Sequence, residues 1–347
     1  YFGSHYTGLV EFDEQFKTLN IYTQYNSPIE RTEGDNDRTK ISALATDKYD
    51  NLFIGNEGAL SLIKVLKNDG TWKKLYPTFS FSLMKKMIFD RNNRLWAPLR
   101  PKGILVYDYG TDIDNTSDDK YKLLLAGSGS GGLPEDNVNC IVEDKEGNIW
   151  AGTNAGIAVF YCPGSVFSQY GCDATQIKVE RDGYIGYLFG TESVRAIAVD
   201  AANRKWVGTT NGLWLISADG KTELLKFNVD NSPLPSNQIT DIAIDEKTGE
   251  VFVGTIRGMV SYQGDAIKGL ENDCDALAYP NPIAPEYDGP IAIKNLVDDA
   301  FVKITDATGT LIIEGKANGG QFIWNGKGYN GSRAKSGVYT VYSSDEV

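Results

Sequence analysis

A single histidine, His5, limits the chemistry open to this 347-residue chain. A Ser–His–Asp site, a Cys–His pair or a multi-histidine zinc site would each have to use it. His5 lies in a turn-like stretch after Tyr1-Phe2-Gly3-Ser4, and an ordinary turn position is preferred to a catalytic one. Paired carboxylates can cleave glycosides without histidine, and the chain holds 46 Asp and Glu residues. No arginine cluster that would grip an acidic sugar accompanies them. Asp112, Asp114, Asn115, Asp118 and Asp119 crowd one stretch whose oxygens could hold Ca²⁺. They lack the glycine-centred spacing of an EF-hand, so a solvated loop is expected and Ca²⁺ is the alternative. Gly127-Ser-Gly-Ser-Gly-Gly132 lacks the following lysine of a phosphate loop and is read as a flexible linker. No catalytic residue, metal site or cofactor is expected.

The remaining composition narrows the partners. A net charge of −12 argues against nucleic acid, which needs a basic footprint. No apolar run reaches the 18 or so residues of a membrane-spanning helix. Cys140, followed by Ile141-Val142, reads as a buried small hydrophobe. Cys162 and Cys172 bracket nine residues and could close a disulfide if the protein is exported, although spacing leaves the pairing open. Cys274 has no evident partner.

The elements that must position these residues come from an internal repeat. Val138 to Asp144, then Gly147-Asn148, then Ile149-Trp150-Ala-Gly152-Thr153 and Gly156 to Phe160 form one unit. It recurs from Val194 through Asp200, Trp206, Gly208 and Gly212 to Ile216. It recurs again from Ile239 through Asp245, Phe252, Gly254 and Gly258 to Tyr262. Weaker copies run from Ile41 to Leu62 and from Met84 to Tyr107. Tyr1 to Phe12 match the second half of a unit. Equivalents of Gly152 fall at 3, 55, 98, 208 and 254, spaced 52, 43, 54, 56 and 46 residues apart.

Periods near 50 fit four-stranded propeller blades. Alternation in the first strand puts small residues on one side, where innermost strands crowd together. Asp with Gly or Asn makes the hairpin turn. Trp96, Trp150 and Trp206 fill the wedge between blades, and the glycine after them admits the neighbouring sheet. With only a half unit at the start, either the weak regions hide another blade or strands preceding Tyr1 complete the ring, which is expected to be seven-bladed when complete. Insertions at 108–131 and 161–192 interrupt the period, the second with a hairpin turning at Asp182-Gly183.

The repeat ends after Tyr262. Residues 263–278 read as a polar linker, and Tyr279-Pro280-Asn281-Pro282 as a rigid lead-in. Short alternating strands follow at Ile291–Ile293, Ala300–Ile304, Leu311–Glu314, Gln321–Trp324 and Gly337–Tyr342, the pattern of a β-sandwich. The chain is therefore expected to be all-β, with a β-propeller over residues 1–272 and an immunoglobulin-like β-sandwich over 273–347.

The repeat resembles the two-component regulator propeller repeat of Bacteroidetes sensors and surface proteins. Leu133-Pro134 and Leu234-Pro235 supply its lead-in, and Trp150-Ala-Gly152-Thr153 with Gly156 its core. The copy at Trp96 departs with Pro98, and the copy at Phe53 lacks the tryptophan. Tyr279-Pro280-Asn281-Pro282, Trp324-Asn325-Gly326 and Ser336-Gly337-Val338-Tyr339 resemble the C-terminal domains of type IX secretion cargo. Asp144 to Trp150 also partly resembles the Asp-box of propeller sialidases, a likeness of turn architecture.

Regulator-type blades followed by a sorting-type sandwich resemble the surface components of the type IX secretion machinery. That resemblance implies an exported, non-enzymatic scaffold at the outer-membrane surface. It would assist a sortase in attaching cargo to anionic lipopolysaccharide and touch other outer-membrane components. The alternative is the periplasmic sensor domain of a hybrid two-component system binding a glycan-derived ligand. A carbohydrate-active enzyme is a third reading.

In a four-stranded blade, the turn joining strands two and three shares a face with the segment leading into strand one. That face is expected to gather His5, Arg100, Lys102, Asn154, Asn211 and Arg257, with Arg195 and Asn237 from the lead-in segments. We read it as a rim for an anionic saccharide or partner loop, against the competing reading of ordinary polar loops.

Overall fold

The computed structural model describes residues 1–35, 38–75, 83–181, 183–271 and 275–344. Asp182, Cys274 and the expected 272/273 boundary lie outside them. The described residues form β-propeller blades followed by an immunoglobulin-like sandwich, with one 3₁₀ turn at Pro163–Ser165. By packing, the chain divides into two compact units, Tyr1–Ile197 and Ala198–Val347.

The first unit opens with a sheet of β1 (Phe2–Gly3), β2 (Leu9–Phe12) and β3 (Thr18–Tyr22). Next comes a sheet of β4 (Lys40–Thr46), β5 (Leu52–Glu57), β6 (Ile63–Leu66) and β7 (Trp72–Lys74). The third contains β8 (Ile88–Phe89), β9 (Leu95–Pro98), β10 (Ile104–Asp108) and β11 (Lys120–Leu124). The fourth contains β12 (Val138–Glu143), β13 (Ile149–Thr153), β14 (Gly156–Phe160) and β15 (Thr175–Gln176). Each is an antiparallel meander, so the two weak repeat copies are complete four-stranded sheets. A ribbon of β16 (Lys178–Arg181) and β17 (Tyr184–Tyr187) follows, the hairpin expected in the second insertion. The division between the units falls within β18 (Val194–Val199).

Packing between sheets follows the repeat. Phe53 of the second sheet meets Phe89 of the third and Tyr109, the residue after β10, at ring separations of 4.7 and 6.0 Å. Trp96 of the third meets Phe160 of the fourth at 5.3 Å. The motif glycines are where the next sheet presses in. A Cβ on Gly3 would lie 2.8 Å from Ile41 Cγ2 of β4, and one on Gly152 would lie 2.6 Å from Val194 Cγ1 of β18. Real Cβ atoms do not approach so closely, so the glycines set the spacing between sheets.

The repeated aspartate closes each hairpin turn and, in two blades, also holds the tryptophan. Asp144 Oδ1 accepts from the backbone of Glu146 and Asn148, while Oδ2 accepts from Trp150 Nε1 at 2.8 Å. Asp90 does the same for Asn92, Arg94 and, at 3.0 Å, Trp96 Nε1. Asp47 has no tryptophan six residues on. Its Oδ2 accepts instead from Tyr109, the residue after β10, at 2.7 Å. Burial and this bond hold the Tyr109 phenol above its usual range.

In the second unit, β19 (Lys205–Thr209), β20 (Leu213–Ile216) and β21 (Glu223–Phe227) pair in sequence order. A three-stranded sheet of β22 (Ile239–Asp245), β23 (Glu250–Thr255) and β24 (Gly258–Gln263) follows. Trp206 lies 5.5 Å from Tyr262, and a Cβ on Gly208 would lie 2.4 Å from Ile239 Cγ2. The repeat geometry thus persists. The sandwich pairs β25 (Leu277–Tyr279) and β26 (Ile291–Lys294) with β29 (Phe322–Trp324). It pairs β27 (Phe301–Asp306) with β28 (Leu311–Lys316) and β30 (Tyr339–Ser344). Ile291, Ile293, Val302, Ile304, Phe322 and Trp324 supply much of its core.

The polar linker is a correction. Residues 265–270 are docked, and a strand, Leu277–Tyr279, takes in the last two linker residues and the first residue of the lead-in. Asp265 accepts from Arg204 Nη2 at 2.6 Å and Asn318 Nδ2 at 2.9 Å. Ile267 bridges Gly319, Leu270 bridges Val297, and Ala266 and Ile267 are buried. The polarity that suggests a loose tether is here the polarity of an ion pair.

Candidate functional site

The rim residues sit on turns whose shape the repeat dictates. Thr153 Oγ1 donates to Gly156 O at 2.9 Å and accepts from Ala155 N at 3.0 Å. Thr255 makes the same pair with Gly258 O and Arg257 N, and Thr209 Oγ1 accepts from Asn211 N. The threonine after Gly152, Gly208 and Gly254 therefore braces the turn that carries Asn154, Asn211 or Arg257.

In the first unit these turns are tied to the segment leading into a following sheet. Ile41 N donates to Ser4 O at 2.9 Å, and Thr39 N to Tyr6 O at 3.3 Å, around the turn of His5. Gly103 N donates to Asp136 O at 2.9 Å, beside Arg100 and Lys102. Gly156 N donates to Glu192 O at 3.2 Å, next to Asn154 and shortly before Arg195 in β18. Turn and lead-in share a side, as the four-stranded blade requires.

His5 and Lys102 are exposed, and Arg100 and Arg195 half-buried. Arg100 pairs with Leu83 through both backbone bonds, and its Nε is buried without a hydrogen-bond partner among the described residues. Asn154 is tied into the fold. Its Oδ1 accepts from Asn139 Nδ2 at 3.0 Å and Ser193 Oγ at 2.8 Å, and its backbone N donates to Glu135 Oε1. Asn211 and Arg257 occupy the matching turns of the second unit, both exposed. Asn237 braces its own loop, accepting from Val229 N.

Two basic residues escaped the sequence reading. Lys85 and Lys86 line a cleft of about 260 Å³ with Gly3 and Ile41 to Leu44. They lie two and three residues beyond Leu83, the backbone partner of Arg100. The signal was their position just before the first strand of a weak repeat copy. The first unit thus places Lys85, Lys86, Arg100 and Lys102 along one lead-in and turn, an arrangement suited to carboxylate or phosphate.

The insertions resolve differently. Cys162 and Cys172 are disulfide-bonded, and Cys140 is buried and outside any disulfide. Tyr107 donates to Asp119 Oδ2 at 2.5 Å, which ties the acidic loop to its own sheet, and Lys67, just after β6, donates to Asp114 Oδ2 at 2.9 Å, which ties it to the second sheet. Burial and the Asp119 carboxylate push the Tyr107 phenol upward. Among the described residues, no group of three or more His, Cys, Asp or Glu is placed to hold a metal ion. Among them, too, no helix is long and apolar enough to cross a membrane.

The fold and repeats define β-propeller blades followed by a sandwich. A family model, the two component regulator propeller, matches residues 132–155. The chain is similar over 99% of its length to PorZ, described as an essential bacterial surface component of the type IX secretion system of Porphyromonas gingivalis. The TM-score is 0.72 and the identity 28%, and the match covers 48% of PorZ, so the chain spans about half that protein's length. The extracellular domain of a protein described as a hybrid two-component system of B. thetaiotaomicron matches at 20% identity and a TM-score of 0.49. That match covers 85% of this chain and 40% of the other. A gluconolactonase of Xanthomonas campestris matches at 12% identity and a TM-score of 0.42, covering 65% and 74% respectively. No curated protein matches the chain by sequence.

Proposed function

We propose that this protein is a non-enzymatic surface component of a type IX secretion machinery. The observation that carries the reading is the similarity to PorZ through both the blades and the sandwich. In this role residues 1–272 form the propeller and 273–347 the sandwich, which docks to the machinery. The rim of basic turns receives anionic lipopolysaccharide, or a related acidic saccharide, and helps a sortase attach cargo to it. The Cys162–Cys172 disulfide supports export to an oxidising compartment, here the outer-membrane surface. No cofactor enters the proposal.

The test is a strain lacking the gene. Cargo should pass into the medium instead of remaining attached to the cell surface, and the tagged protein should recover a sortase from solubilised outer membranes. Arg100→Glu with Lys102→Glu should lower binding of anionic lipopolysaccharide at least about tenfold, a loss of ~1.4 kcal/mol. Unchanged cargo attachment in the deletion strain would remove the scaffold reading. Unchanged binding in the double variant would remove the rim. A second reading, the periplasmic sensor of a hybrid two-component system, draws on the regulator-propeller match at 132–155. A kinase encoded in the same polypeptide would favour it.

A further inference from the structure

The disulfide-closed insertion lies between β14 and β15 of the fourth sheet, yet its bonds reach back to the third. Arg94 Nη1, in the turn before β9, donates to Pro163 O at 2.9 Å. Lys122 Nζ of β11 donates to Val166 O at 3.2 Å. Val166 and Cys172 are buried in one core with Trp96, Ile104 and Leu124 of the third sheet and Ile149 and Phe160 of the fourth. The residue after Cys172 continues the connection. Asp173 Oδ2 accepts from Gly129 N at 2.5 Å and Oδ1 from Gly131 N at 3.1 Å, while Ala174 N donates to Gly131 O at 2.8 Å. The glycine-rich stretch read as a flexible linker is thus clamped by a carboxylate.

That loop is in turn bonded to the rim. Ala126 N donates to Asp136 Oδ1 at 2.7 Å, and Gly103 N to Asp136 O at 2.9 Å, closing the turn that carries Arg100 and Lys102. A continuous set of hydrogen bonds therefore runs from Cys172 through Asp173, the glycine loop and Asp136 to the basic turn. Cys162, at the other end of the disulfide, is exposed to solvent.

We propose that the Cys162–Cys172 bond is a redox-sensitive clasp that sets the position of the Arg100–Lys102 turn. The inference rests on reading that turn as part of the binding rim. An external dithiol would open the clasp. One thiolate attacks Cys162 Sγ, the S–S bond breaks, and Cys172 leaves as a thiolate and takes a proton. The second thiol of the reagent then displaces Cys162 and closes the reagent's own disulfide. Two electrons pass to the protein, leaving two thiols. The tether before Asp173 is then gone, and three polar backbone groups of the glycine-rich loop, Gly129 N, Gly131 N and Gly131 O, lose their fixed partner. Glycine has the most conformational freedom to regain, so the loop opens readily.

Amide hydrogen exchange tests this on the whole chain in three forms: oxidised, reduced with dithiothreitol, and Asp173→Ala with the disulfide intact. The amides of Gly129, Gly131, Ala126 and Gly103 should exchange at least about tenfold faster in both altered forms. Acceleration confined to residues 163–171 on reduction would overturn the proposal. So would an Asp173→Ala chain in which Ala126 and Gly103 keep their protection. Binding of acidic saccharide to the same three forms separates the two ideas. Coupled exchange without binding in any form leaves the clasp standing and removes the rim reading.

Discussion

Trp150 donates its indole N–H to Asp144 Oδ2 at 2.8 Å, across a spacing of six residues. The same carboxylate closes the turn between β12 and β13 through Glu146 N and Asn148 N. Local turn and inter-sheet packing are therefore fixed by one side chain, which is 4% exposed. Asp144→Ala takes away an acceptor of a buried indole N–H and of two turn amides, at a cost of about 3 kcal/mol. Trp150→Phe in the Asp144→Ala background should cost about 1–2 kcal/mol less than it does alone. Thermal unfolding of the four chains in the cycle checks this. Additive losses would mean that the bond between them contributes nothing.

This pairing shows what the sequence made legible and what it did not. The Asp, Trp and Gly of each copy announce turn, wedge and close approach because their roles are local or periodic. The partner of each aspartate is not local. Asp47 looks for a tryptophan and finds Tyr109, 62 residues away. For that reason the copy at Phe53 reads as weak although its sheet is complete. That a turn between strands two and three lies beside a lead-in segment was legible from strand order alone, since hairpin topology decides it. Lys85 and Lys86 were not, because nothing in their own neighbourhood marks the cleft. Asp173 was hidden for the same reason: its acceptor role depends on a loop 42 to 44 residues earlier.

The motif glycines give a second prediction. An alanine Cβ at 152 would lie 2.5 Å from Cys140 Sγ and 2.6 Å from Val194 Cγ1, whereas one at 164 meets nothing within 4 Å. Gly152→Ala should destabilise the protein by about 1–3 kcal/mol and Gly164→Ala by less than about 0.5 kcal/mol. Combining Gly152→Ala with Val194→Ala should cost less than the two alone, because the second change removes one of the clashing atoms. Denaturant midpoints of the four chains provide the comparison. Equal effects at 152 and 164 would contradict glycine as the spacer between sheets.

Lys64 supplies a pH-dependent prediction. Its side chain is 0% exposed and ion-paired with Glu30 at 3.4 Å. Burial outweighs that attraction and lowers its pKa from 10.5 to about 8. Below pH 8 both folded and unfolded chains carry the proton, and the folded state bears the full penalty of about 3 kcal/mol. Between pH 8 and 10.5 the unfolded chain still binds the proton and the folded chain releases it, so the penalty fades as pH rises. Glu30 keeps Lys74 at 2.6 Å when Lys64 is replaced. The advantage of Lys64→Met over the native chain should thus fall by about 2 kcal/mol from pH 7 to pH 10. An advantage independent of pH would show that Lys64 is not depressed in the folded state.

The second unit holds its sandwich through Arg204, which donates from Nε to Asp200 at 2.7 Å and from Nη2 to Asp265 at 2.6 Å. Asp200 is nearly buried, and that burial raises its pKa in spite of the adjacent guanidinium. Arg204→Met leaves this carboxylate with its turn amides but no countercharge, at a cost of about 3–5 kcal/mol. Asp265→Asn keeps an oxygen to accept from Asn318 and should cost about half as much. Both changes should also speed amide exchange at Lys268, Gly269 and Leu270, which are bonded to Glu246, Asp298 and Leu296. The two neighbouring bridges, Ile267 with Gly319 and Leu270 with Val297, are backbone contacts that the substitutions leave chemically intact. If exchange at 268–270 stays unchanged while stability falls, those bridges alone hold the sandwich and the Arg204 pair serves only its own turn. If exchange rises with the loss of stability, the ion pair is what converts residues 265–270 from a tether into a fixed joint.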